Sequence, residues 1–244
     1  VYYWADGWWT EPVADNGLGV VEGTPFEIII VARDSLSNET TVSTSLTIDL
    51  TQPTLTSVSI DSDNTDSAGT DEIAIVGDTV AISFTASETI QIPTVVFTVG
   101  GGTAAGSVTV TNVSGNDWAG AVTLASGDTV GAVAFTIDYS DTAGNSGTPV
   151  TSTTDETSVV LAKVPGVPTD VSAIPGDGQA TVSWTAPTSN GGSPVTGYTV
   201  TSNPGDVTAT TNGTSVTVTG LSNGTAYIFT TTATNSIGTS PSSA

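Results

Sequence analysis

The feature that most constrains the fold is a two-residue alternation of apolar and polar side chains in short runs. The apolar members of these runs are Val80, Ile82, Phe84 and Ala86; Val95, Phe97 and Val99; Val108 and Val110; and Phe135, Ile137 and Tyr139. A period of two places one face of a strand on a core and the other in water. Glycine-rich turn clusters separate the runs at intervals of roughly eight to twelve residues, which is typical of β-sandwiches. The pattern therefore predicts one complete β-sandwich over residues 53–163.

The charge balance limits the partners of this chain. Among 244 residues, Lys and Arg together number 2 and Asp and Glu 24, which gives a net charge of −22. Arg33 and Lys163 cannot form a basic patch, so neither nucleic acid nor an anionic membrane surface is an expected partner. No apolar run is long enough for membrane insertion. An acidic surface favours solubility and self-repulsion, or an environment rich in divalent cations.

The composition contains few of the side chains that commonly serve in catalysis. The sequence contains no His and no Cys, which removes the usual nucleophile and base pairs, disulfides and thiolate metal sites. Two carboxylates could still form a glycosidase site. Small repeated sandwiches offer no obvious cleft, however, so we predict that the protein is not an enzyme.

An internal repeat relates residues 1–52 to the C-terminal half of residues 53–163. The corresponding positions are Ile28, Ile30, Ala32, Asp34 and Asn38 in the first copy and Phe135, Ile137, Tyr139, Asp141 and Asn145 in the second. Half a sandwich cannot bury its inner face. We expect a segment of a longer tandem array. The alternative is that another subunit donates the missing strands, which would build a head-to-tail fibre.

Residues 164–244 resemble a fibronectin type III domain. The motifs that carry the resemblance are Pro168 and Val171; Ala180, Val182 and Trp184; Pro194 and Tyr198; and Leu221, Thr225 and Tyr227, followed by Phe229, Ala233, Asn235 and Gly238. The resemblance implies a seven-stranded sandwich with a tyrosine corner at Tyr227. Asn223 stands where proline is usual, Thr231 stands where an aliphatic residue is commoner, and the last strand has barely begun at Ser240.

Residues 1–163 resemble, less specifically, the bacterial Ig-like repeats of large surface adhesins. The shared phrases are Gly-Asp-Thr-Val at 77–80, Phe-Thr-Ala-Ser-Glu at 84–88 and Tyr-Ser-Asp-Thr-Ala-Gly-Asn at 139–145. This resemblance implies secretion to the cell surface, tandem repetition, frequent use of calcium and an adhesive or stalk function. The expected fold is all-β, as tandem Ig-like and fibronectin type III β-sandwiches in an elongated array. The expected partners are neighbouring modules or other subunits of a fibre.

The densest acidic stretch is a candidate calcium loop. Asp61, Asp63 and Glu72 have the spacing of oxygen ligands in an EF-hand loop. Asp66 stands where that loop needs glycine, and strands rather than helices are expected on both sides, so an EF-hand is not expected. A calcium site of the β type could use two or three of these carboxylates together with Asp49. The alternative is a solvated loop of local hydrogen bonds.

A second hypothesis concerns the Asp and Asn residues that follow equivalent strands. Asp34 with Asn38, and Asp141 with Asn145, can each hold a tight turn through side-chain hydrogen bonds. A sharper hypothesis adds Asp49 and Glu88 as calcium ligands at the joint between the first two units.

The aromatic residues at the start of the chain leave two functions open. The cluster consists of Tyr2, Tyr3, Trp4, Trp8 and Trp9. It could stack on sugar rings or seal a subunit contact, or alternate members could belong to a core. The leading hypothesis is a non-enzymatic extracellular structural or adhesive array. The rival is a carbohydrate-binding or spacer module of a secreted glycoside hydrolase.

Overall fold

The computed structural model describes residues 25–33, 36–64 and 71–244. All regular structure in these ranges consists of β-strands, so the predicted all-β fold class is confirmed. No helix in the described ranges is long and apolar enough to cross a membrane.

The first unit contributes a β-hairpin. Strands β1 (Phe26–Arg33) and β2 (Glu39–Leu46) pair antiparallel, from Phe26 with Leu46 to Arg33 with Glu39. All of β2 is exposed. Among the described residues, these two strands form a sheet of their own.

The second unit consists of two sheets. Its strands are β3 (Leu55–Ser62), β4 (Asp71–Ala74), β5 (Thr79–Ala86), β6 (Thr94–Val99), β7 (Gly102–Thr103), β8 (Val108–Ser114), β9 (Asp117–Thr123), β10 (Gly131–Asp138) and β11 (Ser158–Leu161). One sheet has the order β3-β5-β9-β8 and the other β4-β11-β10-β6-β7. The pairing of β4 with β11 is parallel, and the other pairings in the unit are antiparallel.

The internal repeat is visible in strand pairing. Val133 of β10 pairs with Val159 of β11. In the sequence, Val133 and Phe26 stand the same number of residues before Asp141 and Asp34, respectively, so they occupy equivalent positions in the two repeats. Val159 and Leu46 are equivalent as well, because each directly follows a corresponding serine, Ser158 or Ser45. The hairpin of the first unit thus has the register of the last two strands of the second unit.

The core of the second unit lies between its two sheets. The alternating runs predicted for β5, β6 and β10 each bury their apolar face, and Ile82, Phe97 and Ile137 are almost inaccessible to solvent. The prediction for Val108 and Val110 was wrong in part. Strand β8 is at the edge of its sheet, so Val110 packs partly against the core while Val108 is exposed.

The third unit is a smaller sandwich with its own core. Its strands are β12 (Thr169–Gly176), β13 (Gln179–Thr185), β14 (Gly197–Asn203), β15 (Thr208–Thr211), β16 (Ser215–Thr219) and β17 (Ile228–Thr234). They form the sheets β12-β13-β16 and β15-β14-β17. Trp184 and Tyr198 pack in the core with ring centroids 5.3 Å apart. The Ser222 amide donates to the Tyr227 hydroxyl at 3.0 Å, which is the expected tyrosine corner.

Candidate metal centre

Three carboxylates meet where the first unit joins the second. Asp49 lies between β2 and β3, Glu88 follows β5 and Asp141 follows β10. One oxygen of each lies within 4.8 Å of the others, and within the described ranges this is the one group of three or more potential metal ligands. The structure therefore brings together the three residues named in the joint hypothesis.

A tight turn after β10 positions Asp141. Its Oδ1 accepts hydrogen bonds from the amides of Gly144 at 2.6 Å and Asn145 at 2.8 Å, and its Oδ2 accepts one from Asn145 Nδ2 at 2.7 Å. Gly144 has a φ of +99°, which few other residues tolerate. The predicted turn is therefore present at Asp141. Asp34, half of the equivalent pair, lies outside the described residues.

The hydrogen bonds also keep Asp141 ionised. Burial raises the pKa of this carboxyl, but hydrogen bonds from the Asn145 side chain and from the amides of Asn145, Gly144 and Ala143 outweigh it. The net pKa of Asp141 is below its ordinary value. The fully buried carboxyl is therefore an anion at neutral pH.

Asn145 connects the turn to the linker. Besides its bond to Asp141, Asn145 Nδ2 donates to the carbonyl oxygen of Asp49 at 3.0 Å. Asp49 Oδ1 in turn accepts from the Thr51 amide at 3.1 Å. The two units are thus linked by a hydrogen bond at the place where the carboxylates gather.

The two basic side chains of the chain make bonds outside this cluster. Arg33 forms an ion pair with Glu39, and Lys163 Nζ donates to the carbonyl oxygens of Ser126 and Asp128. Carboxylate oxygens are the ligands that Ca²⁺ prefers. Asp141 Oδ1 already accepts two hydrogen bonds, but Oδ2 accepts one and keeps a second lone pair for a metal. The arrangement can therefore bind a hard cation through oxygens from both units.

The acidic loop is organised differently. Asp61 lies in β3 and Glu72 in β4, and Glu72 Oε2 accepts from the Ser62 amide at 2.8 Å. Burial raises the pKa of Glu72, and a hydrogen bond and negative charge from Asp61 raise it further. The expectation that strands flank this loop is confirmed.

Two further loop residues affect the site predicted there. Asp63 Oδ1 accepts from the Thr79 amide at 2.8 Å. Asp66 lies outside the described residues. In the described part of the loop the carboxylates do not gather as they do at the joint, and a calcium site there stays a prediction.

Two small clefts lie among the described residues. One of about 280 Å³ lies in the third unit beside Gln179, Leu221, Tyr227 and Phe229. Another of about 250 Å³ lies beside Gln91 and Asp138. The N-terminal aromatic cluster, with Tyr2, Tyr3, Trp4, Trp8 and Trp9, lies outside the described residues.

Comparison with known proteins supports the assignment of the third unit. Residues 166–244 match the fibronectin type III domain family, which confirms the resemblance seen in the sequence. No curated protein matches the chain.

Several solved structures are similar to the chain. A crystal structure of titin domains shares 20% identity over 91% of this chain and 72% of that chain, with a TM-score of 0.44. Titin kinase with its flanking domains shares 30% identity over 34% of this chain and 16% of that chain, with a TM-score of 0.32. The FN1–FN3 domains of chicken CNTN1 share 15% identity over 89% of this chain and 75% of that chain, with a TM-score of 0.33.

Proposed function

We propose that this chain is a non-enzymatic spacer in an extracellular structural or adhesive array, as part of a bacterial surface adhesin, stalk or filament. The observation that carries the proposal is that the second and third units each have a separate hydrophobic core. Units with their own cores can repeat along a chain without depending on distant parts of it. The high negative charge would keep neighbouring copies apart.

Small-angle scattering of the full chain tests the spacer proposal. A compact globule of 244 residues has a radius of gyration of about 18 Å. An array of units placed in line gives a clearly larger value and an asymmetric distance distribution. A radius near the compact value would contradict the proposal.

Calcium is the proposed cofactor of the first joint. Binding of one Ca²⁺ between Asp49, Glu88 and Asp141 would offset two of the three adjacent negative charges and add a bond between two units. Because a ligand that binds only the folded state stabilises it, saturating calcium should raise the free energy of unfolding, by about 2.7 kcal/mol at a hundred times Kd.

The matched variants for this test leave Asp141 and its turn intact. Asp49→Asn combined with Glu88→Gln should remove the part of the shift in melting temperature between calcium and chelator that comes from the joint. Glu156→Gln combined with Asp206→Asn removes two exposed charges elsewhere and should keep the shift. Identical melting curves of the unmodified chain in calcium and chelator would contradict the calcium proposal.

The acidic loop supports a second, separable calcium proposal. If Asp61, Asp63, Asp66 and Glu72 bind an ion, calorimetric titration should give two calcium ions per chain. Asp63→Asn with Glu72→Gln should then reduce the number to one. A stoichiometry of one in the unmodified chain that Asp63→Asn with Glu72→Gln leaves unchanged would leave only the joint site.

An accessory role in carbohydrate binding is the second candidate. The N-terminal aromatic cluster favours it, because aromatic rings stack on sugars. Binding on a glycan array that is lost in Trp4→Ala or Trp9→Ala would favour this role, and no binding would favour the spacer. An acid–base role for the carboxylates in glycosidic cleavage has little support, since Asp141 is fully buried and already accepts three hydrogen bonds.

Strand donation remains an alternative form of the array. The hairpin favours it, since Val42 of β2 is 61% exposed and Leu46 is 48% exposed. Electron microscopy of the isolated chain should show ordered head-to-tail fibres if another subunit covers this hairpin. Separate particles or irregular aggregates would favour a continuous tandem chain.

A further inference from the structure

The joint between the second and third units contains a hydrogen-bond network centred on a half-buried lysine. Lys163 lies two residues after β11, and its Nζ donates to the carbonyl oxygens of Ser126 at 2.8 Å and Asp128 at 2.6 Å. Both carbonyls belong to the turn between β9 and β10, so the side chain points back to the second unit. Charged donors make hydrogen bonds that are stronger than neutral ones.

The backbone of the same lysine faces the third unit. The Lys163 amide donates to the carbonyl oxygen of Gly191 at 2.7 Å. The Lys163 carbonyl oxygen accepts from Asn235 Nδ2 at 2.8 Å, and Asn235 Nδ2 also donates to the Asn190 carbonyl at 2.9 Å. Asn235 is buried. Lys163 is therefore bonded to the second unit through its side chain and to the third unit through its backbone.

The glycines of the facing loop permit this close contact. A Cβ at Gly191 would lie 2.0 Å from the Lys163 carbonyl oxygen, and a Cβ at Gly192 would lie 2.6 Å from a methyl group of Val130. Both glycines also have positive φ angles, +73° and +84°. Residues with side chains would therefore separate the two units at this loop.

We propose that Lys163 fixes the orientation of the third unit relative to the second, so that residues 53–244 move as one rigid body. The loop at residues 189–193 and Asn235 form the docking surface, and its occupant is the linker of the preceding unit. Mobility between adjacent domains is the usual expectation when few groups join them. Here the charged side chain of Lys163 is bonded to the second unit, and its backbone amide and carbonyl are bonded to the third.

The proposal goes beyond the spacer function because it makes the two joints physically different. At the first joint three carboxylates lie close enough together to bind an external cation. At the second joint the chain's only lysine supplies the positive charge. The second joint should therefore be rigid in both calcium and chelator.

Distance measurements between spin labels on the full chain test this proposal. The sequence contains no Cys, so Thr111→Cys and Thr210→Cys, both at exposed strand positions, give one labelled pair across the joint. We expect a single narrow distance distribution, unchanged between calcium and chelator. Lys163→Gln should broaden it, because it removes the charge and the bonds to the second unit. Gly191→Ala, a change in the third unit, should also broaden the distribution, because the added Cβ would clash with the Lys163 carbonyl oxygen.

Val167→Ala is the matched control, since Val167 is an exposed residue of the same linker and should leave the distribution narrow. Fluorescence of the buried Trp118 and Trp184 verifies that each variant is folded. A broad distribution in the parent chain, or one that stays narrow in folded Lys163→Gln, would overturn the proposal. Neither result would affect the spacer function, which depends on the scattering experiment.

Discussion

At the scale of single residues, Thr231 places a buried hydroxyl without a hydrogen-bond partner in the third unit. It lies in β17 where the family resemblance leads one to expect an aliphatic residue. Its hydroxyl is fully buried and makes no hydrogen bond. The buried indole nitrogen of Trp184 makes none either. Burying a polar group without a partner costs free energy that an apolar side chain of the same shape avoids.

Replacing Thr231 with valine should therefore stabilise the third unit. We expect Thr231→Val to raise its free energy of unfolding by about 1 kcal/mol, measured by urea denaturation. Thr208→Val, at an exposed position of β15, is the control and should change stability much less. A destabilised Thr231→Val would mean that the hydroxyl has a partner, such as an ordered water.

The lowered pKa of Asp141 predicts how the stability of the folded chain depends on pH. Its folded-state pKa is below the ordinary value of 3.8, so the unfolded chain binds a proton more readily than the folded chain. The stabilisation is complete above the ordinary value and is lost as the pH falls through the lower folded pKa. Hydrogen bonds from the Thr157 hydroxyl and amide lower the pKa of Asp155 too, which adds to the same trend.

Asp141→Asn should be less stable than the parent chain at pH 7, because its amide nitrogen cannot accept the bond from Asn145. The difference between the two should shrink in acid, where the parent also loses its carboxylate. Urea denaturation across the acid range measures this, with Asp206→Asn as an exposed control that should follow the parent. A difference independent of pH would contradict the assignment.

At the scale of elements, the alternation of apolar and polar residues predicted strands better than it predicted which side chains are buried. The runs at Val80 and Phe135 predicted both the strand and its buried face, because β5 and β10 lie inside their sheets. The run at Val108 predicted a strand correctly but not its exposure. Position within a sheet depends on pairing with distant strands, and a local pattern does not contain it.

The candidate site shows the same limit. The sequence suggested a set of ligands within residues 61–72, because motif spacing relates only residues that are close in sequence. The carboxylates that meet, Asp49, Glu88 and Asp141, come from three separate segments. They could be named from the sequence only as residues at strand ends near a joint. Their mutual distances depend on the sandwich topology.

The β1–β2 hairpin should be the least protected element. Two strands with one exposed face are marginally stable in water, and β2 is exposed along its length. We expect amide exchange in β1 and β2 to be much faster than in β5 and β10, measured by hydrogen–deuterium exchange on the full chain. Equal protection would mean that the hairpin is covered, as strand donation requires.

At the scale of the whole molecule, separate cores imply separate mechanical units. In the second unit, β4 and β11 pair in parallel, from Ser158 with Asp71 to Leu161 with Ala74, and β3, which precedes β4, pairs antiparallel with β5. Tension that reaches β4 and β11 from the two ends of the unit pulls these two strands in opposite directions along their axes. Their hydrogen bonds are then loaded together rather than one after another, which suits a spacer under load.

Pulling the full chain end to end in a force spectrometer tests this account most directly. It predicts discrete unfolding events for the second and third units, with contour lengths of roughly 400 Å for residues 53–163 and roughly 290 Å for residues 164–244, at about 3.6 Å per residue. Smooth extension without discrete events, or one event that releases both units together, would contradict the claim that each spacer unit folds around its own core and unfolds separately.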